Sequence, residues 1–140
     1  MVVVKTELNK NQALAKINGF MDAFQTWCSN PESPTIQDLE KFLTTNFQLF
    51  SNGELKYRDL NEYLVRINGL RDKYSQLEVN GPFDEPLLAD NQAVICYDIN
   101  LFSEEDGEVH LCTMAIVTFQ GDKIAKWVQV THNRDQDDWG

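Results

Sequence analysis

QAVICYDINLFS (92–103), EVHLCTMAIVTFQ (108–120) and KIAKWVQVTH (123–132) are runs rich in β-branched and aromatic residues. Only Glu104-Glu105-Asp106-Gly107 and Gly121-Asp122 separate them. Connections this short join antiparallel neighbours, so the spacing predicts a meander of three long strands. One alternate set of the last two runs is Leu111, Thr113, Ala115, Val117 and Phe119, continued by Ala125, Trp127, Gln129 and Thr131. The other is Cys112, Met114, Ile116 and Thr118 with Val128 and Val130. A sheet with helices on one face normally turns a polar face outward. Here the second face is apolar as well, and a homodimer packed sheet against sheet is its simplest cover. That reading assigns Met114, Ile116, Val128, Val130 and His132 to a dimer face. Apolar residues scattered over an ordinary surface are the bland alternative.

Upstream of the meander the period changes from two to between three and four. Ala13, Leu14, Ile17, Phe20, Met21, Phe24, Trp27 and Cys28 fit one face of an amphipathic helix over about residues 6–28, which Ser29-Asn30-Pro31 stops. Thr35 with Asp38 is a capping box for a short second helix carrying Ile36, Leu39, Phe42 and Leu43. Phe47–Phe50 and Leu55–Tyr57 flank Ser51-Asn52-Gly53, the chemistry of a tight hairpin. Asp59 and Glu62 open a third helix with Leu60, Tyr63, Leu64, Ile67 and Leu70 on one side. Residues 74–79 alternate as a strand, and 83–89 read as extended but irregular between Pro82 and Pro86. The fold class expected is α+β: three helices, then strands, in a single domain over 1–140 with its core at about 8–132 and an acidic tail at 133–140.

The 140 residues include 22 acidic and 12 basic side chains, a formal net charge of -10. Residues 1–70 are nearly balanced, with eight acids and seven bases, whereas 71–140 carry fourteen and five. Most of the excess falls in turns and the tail, where it keeps a surface solvated. A charge this negative argues against tracking nucleic-acid phosphates and against docking on an anionic membrane. No apolar run reaches the roughly 18–20 residues of a membrane helix, and Met1-Val2-Val3-Val4 is too short for a secretory core, so a soluble, cytoplasmic protein is expected. Cys28, Cys96 and Cys112 are isolated in apolar sequence and read as reduced core thiols. With no glycine-rich phosphate loop, nucleophile elbow or ligand spacing for a metal, neither cofactor nor metal is expected.

The order of elements, the turn Phe119-Gln120-Gly121-Asp122-Lys123-Ile124 and the closing Trp127-Val128-Gln129-Val130-Thr131-His132 resemble the nuclear transport factor 2-like superfamily, with its SnoaL-like cyclases and ketosteroid isomerases. The resemblance implies a cone-shaped curved sheet wrapped around the long N-terminal helix. It implies a pocket between sheet and helices, and dimers through the outer sheet face. For the isomerases it further implies a carboxylate base near Leu49-Phe50-Ser51 and an oxyanion Asp at the position of Ala115. This sequence has neither.

Asp98 is the acid that turns do not explain, because it interrupts Ala93-Val94-Ile95-Cys96-Tyr97-Asp98-Ile99. If the connection after residue 103 holds an even number of residues, Asp98 faces the pocket beside Thr113 and Ala115. An odd connection or a bulge turns it outward. On the even reading Asp98 is the candidate catalytic acid or base, and Asn100 accompanies it into the pocket. Trp127, Gln129 and Thr131 share the pocket parity, and Phe24, Trp27 and Tyr63 would complete an aromatic lining from the helices. His110 and His132 have the outer parity. Two functions fit. One is a domain that binds a small apolar molecule, with isomerase, cyclase or lyase chemistry. The other is a non-catalytic dimeric interaction module whose pocket is filled by its own rings. Whether the protein is an enzyme stays open at this level.

Overall fold

In a computed structural model, residues 9–134 are described. Three helices, α1 (Lys10–Ser29), α2 (Ile36–Glu40) and α3 (Leu60–Lys73), precede or interrupt six strands: β1 (Leu43–Ser51), β2 (Glu54–Tyr57), β3 (Gln76–Ala89), β4 (Gln92–Ser103), β5 (Gly107–Gln120) and β6 (Lys123–Asn133). The acidic tail beyond Arg134 and the apolar start, Met1–Val4, lie outside the described residues.

Each helix begins where a side chain takes up an orphan amide. Asn9 and Gln12 form a capping box on α1, and Thr35 and Asp38 form one on α2. The Asp59 carboxylate accepts from the amide of Glu62 at the start of α3. The second helix is shorter than its apolar residues suggest: it ends at Glu40, and Leu43 opens β1. Leu39 and Leu43 are nonetheless both fully buried, one from each element.

The strands form one sheet in the order β2-β1-β6-β5-β4-β3. All neighbours are antiparallel except β1 and β6, which run parallel. The curved sheet wraps around the helices, with α1 against β3 and α3 and with α3 also against β1. This is the α+β class expected from the element order, with the curved, cone-shaped sheet that the family resemblance implies. The irregular 83–89 stretch is not a separate segment. It belongs to the edge strand β3, whose ladder with β4 resumes at Leu87–Val94 after two register shifts. Those shifts bracket Pro82 and Pro86, residues without an amide to give to a ladder. Gly81, at φ +120°, lies so close to β4 that a Cβ there would stand 3.0 Å from the Cβ of Tyr97 and 3.2 Å from the carbonyl oxygen of Cys96.

The alternation of the meander holds with one exception. Thr113, Ala115, Val117, Phe119 and Trp127 are buried on the concave face. Between Thr118 and Phe119 the register with β6 shifts, so Ile124 rather than Ala125 is the buried residue opposite Phe119. The extra residue is a bulge that re-aims the start of β6. No helix among the described residues is long and apolar enough to cross a membrane.

Candidate functional site

The concave face does not close on the helices. It leaves a cavity of about 410 Å³ in the size range of small-molecule sites, about 300–1,000 Å³. Phe20, Met21 and Phe24 of α1 form one wall, and Tyr63 and Leu70 of α3 form another. The sheet supplies Leu49, Leu77, Val79, Tyr97, Ile99 and Trp127. Phe24 stacks on Tyr63 at 6.4 Å between centroids, and Trp127 packs between Phe20 at 5.4 Å and Tyr97 at 5.9 Å. These rings shape the walls and leave the space between them unfilled.

The polar floor is organised by Gln129. Its Oε1 accepts from the Tyr97 hydroxyl at 3.1 Å and from the Trp127 indole N–H at 3.2 Å, and its Nε2 donates to Ser51 Oγ at 3.2 Å. The β1–β2 hairpin is tied to the same strand: the amide of Asn52 donates to the Gln129 carbonyl, and the amide of Thr131 donates to Asn52 Oδ1. Asn52 and Gly53 reach the positive φ values, 51° and 84°, that this two-residue turn requires. A local Asn-Gly turn therefore sets Ser51 against Gln129.

Burial pushes the phenols of Tyr63 and Tyr97 above their ordinary pKa, so both stay protonated over the neutral range. Among the described residues lining this cavity there is no carboxylate and no imidazole. The ionic side chains among the described lining residues are Lys56 and Arg66, both exposed, which places them at the mouth.

Asp98 is not in the cavity. The connection from Ser103 to Gly107 is Glu104-Glu105-Asp106, an odd number, and it pairs Asp98 with Cys112, which in turn pairs with His132. All three are on the convex face. Tyr97, opposite buried Thr113, takes the inward position. Asn100 follows Asp98 outward, where its Oδ1 is 2.6 Å from His110 Nδ1. There it lines a second, more polar hollow with Gln25, Glu78, Glu108 and His110. The catalytic assignment of Asp98 and the pocket assignment of Asn100 are thus corrected by the odd connection.

Phe24, Tyr63, Trp127, Gln129 and Thr131 do line the cavity together. Trp27 does not, because its ring turns toward Phe20 and Phe42 in the helical layer. Thr113 and Ala115 lie behind the lining: Thr113 Oγ1 is 2.8 Å from Thr131 Oγ1, and Ala115 is paired with Gln129. Tyr97 and Arg66 were missed. The parity of Tyr97 depends on the odd connection, whereas Arg66 follows Tyr63 by three residues on a recognised helix and could have been found.

On the convex face, Met114 is 54%, Ile116 40% and Val130 65% exposed, with Val128 half-buried between them and exposed His132 beyond. Among the described residues no cluster of His, Cys, Asp and Glu could hold a metal ion.

No protein-family model matches the sequence, and no curated protein matches it. Solved structures do. AusH from Aspergillus nidulans superposes with a TM-score of 0.71 at 15% identity, covering 94% of this chain and 91% of that one. A protein from Jannaschia sp. CCS1 assigned as a SnoaL-like polyketide cyclase gives 0.69 at 10% identity, covering 94% and 90%. A nuclear transport factor 2-like protein from Anabaena variabilis ATCC 29413 gives 0.67 at 10% identity, covering 94% and 95%. The fold of this chain is that of the nuclear transport factor 2-like, SnoaL-like superfamily.

Proposed function

We propose that this protein binds a small, largely apolar molecule in the cavity between the concave sheet and α1 and α3. The observation that carries the proposal is the cavity itself: aromatic walls held apart around about 410 Å³, with a few polar groups converging at Gln129. Proteins that fill such a space with their own rings gain packing energy, so an unfilled apolar cavity of this size has a standing cost that a ligand removes. Binding without turnover is the reading best supported. General acid–base catalysis needs a group that exchanges a proton near neutral pH. Among the described lining residues the polar groups are the phenols of Tyr57, Tyr63 and Tyr97, an amide, hydroxyls and the Lys56 and Arg66 cations, with no carboxylate or imidazole to serve as the acid or base.

A thermal-shift screen of hydrophobic metabolites tests this. Wild type is expected to rise by several degrees with its ligand, and Trp127→Ala, which removes the ring between Phe20 and Tyr97, is expected to lose the shift. Absence of any ligand-dependent shift in wild type counts against the proposal.

A second reading is favoured by the convex face. Met114, Ile116 and Val130 form one exposed apolar patch across β5 and β6, and a second copy of this chain is the occupant proposed for it. The two readings are compatible, because the cavity opens on the opposite face.

A further inference from the structure

We infer that the ligand of this cavity is an amphipathic organic anion, with its apolar body between Tyr63 and Trp127 and its acidic group at Arg66. The inference rests on the ligand-binding reading above and names the class of ligand.

The charge around the cavity is unlike that of the chain. The protein carries a formal net charge of -10, yet among the described residues both ionic side chains on the cavity wall are cations. Their availability differs. Lys56 Nζ is 2.8 Å from Glu54 Oε2, so most of its charge is already answered. Arg66 makes no ion pair with any described carboxylate. Glu62, one turn back on the same helix, is held by Arg58 at 3.4 Å.

Helical geometry then sets where the guanidinium stands. Tyr63, Arg66 and Leu70 are three and four residues apart, so they share one face of α3, and all three line the cavity. Tyr63 and Leu70 are buried in the wall and Arg66 is exposed. A ligand held against Tyr63 therefore has its outer end beside a planar, permanently charged donor suited to a carboxylate. A ligand cation would meet the like charge of Arg66, with no carboxylate among the described lining residues to compensate. A wholly neutral ligand would leave Arg66 unused.

The test titrates octanoate, octan-1-ol and octylammonium separately into the whole chain by isothermal calorimetry at neutral pH and low ionic strength. Wild type is expected to bind octanoate about tenfold more tightly than octan-1-ol, with octylammonium weakest. Arg66→Gln is expected to bring octanoate down to the level of octan-1-ol without changing octan-1-ol, and Arg66→Lys to restore part of the difference. Arg66 is exposed and forms no ion pair with a described carboxylate, so both variants are expected to keep the wild-type melting temperature. Equal affinity of wild type for octanoate and octan-1-ol, or an octanoate preference that survives Arg66→Gln, overturns the inference and leaves the ligand-binding reading standing. Failure of all three probes to bind saturably overturns both.

Discussion

Gln129 uses both ends of its side-chain amide inside the cavity, accepting from Tyr97 and Trp127 and donating to Ser51, so one residue fixes three others. Such a network matters because each member left unpaired in an apolar surround would cost about 1–3 kcal/mol. Gln129 was legible from strand parity alone, since it lies two residues from Trp127 in the last run. Asp98 was legible as an anomaly but not as an address. Its neighbours on both sides are apolar, and nothing in that pattern says which face is which. Cys28 shows a different single-residue effect. Burial raises its thiol from 9.0 to about 12. The unfolded chain ionises first, so the stabilisation is complete below about pH 9 and is lost as pH rises toward about 12. Urea unfolding between these limits is expected to show a steeper loss of stability for wild type than for Cys28→Ala. Parallel slopes would mean that the thiol is not buried as described.

At the scale of elements, the three helices were readable because their signals are short-range: Thr35 with Asp38 and Asp59 with Glu62 cap where they stand. The register of β4 on β5 was not. With both faces of the meander apolar, the hydrophobic pattern tolerates either parity, and the three residues after Ser103 decide it. The bulge at Thr118–Phe119 is likewise invisible to alternation, because it inserts a residue without changing composition, whereas Pro82 and Pro86 mark the two shifts in β3. The shift at Gly81 also shapes the cavity, since it brings the β3 backbone onto Tyr97. Gly81→Ala combines an unfavourable φ with contacts to backbone and Cβ atoms that have little freedom to move. It is expected to cost about 1–3 kcal/mol in chemical denaturation and to weaken ligand binding. An unchanged midpoint would show that β3 relaxes without disturbing β4.

At the scale of the whole molecule, the two faces of one sheet differ in character. The concave face holds the cavity, and the convex face carries the exposed Met114, Ile116 and Val130. Replacing Met114 and Val130 together by Lys is expected to convert a dimer to a monomer in light scattering. Ligand affinity is expected to stay within about twofold, because neither side chain lines the cavity. A wild-type monomer would remove the second copy from the account. The net charge of -10 belongs chiefly to the strand half of the sequence, in its turns and tail, and the described residues at the cavity mouth depart from it in sign. Whether the cavity admits a ligand at all is the decisive question for function. The most direct measurement follows the Trp127 indole N–H, together with the Gln129 side-chain amide, by ¹⁵N-resolved NMR during titration with octan-1-ol. Saturable shifts of both, with the resonances of Met114 and Val130 unmoved, are the predicted result. No saturable change at Trp127 and Gln129, or shifts confined to the convex face, would contradict it.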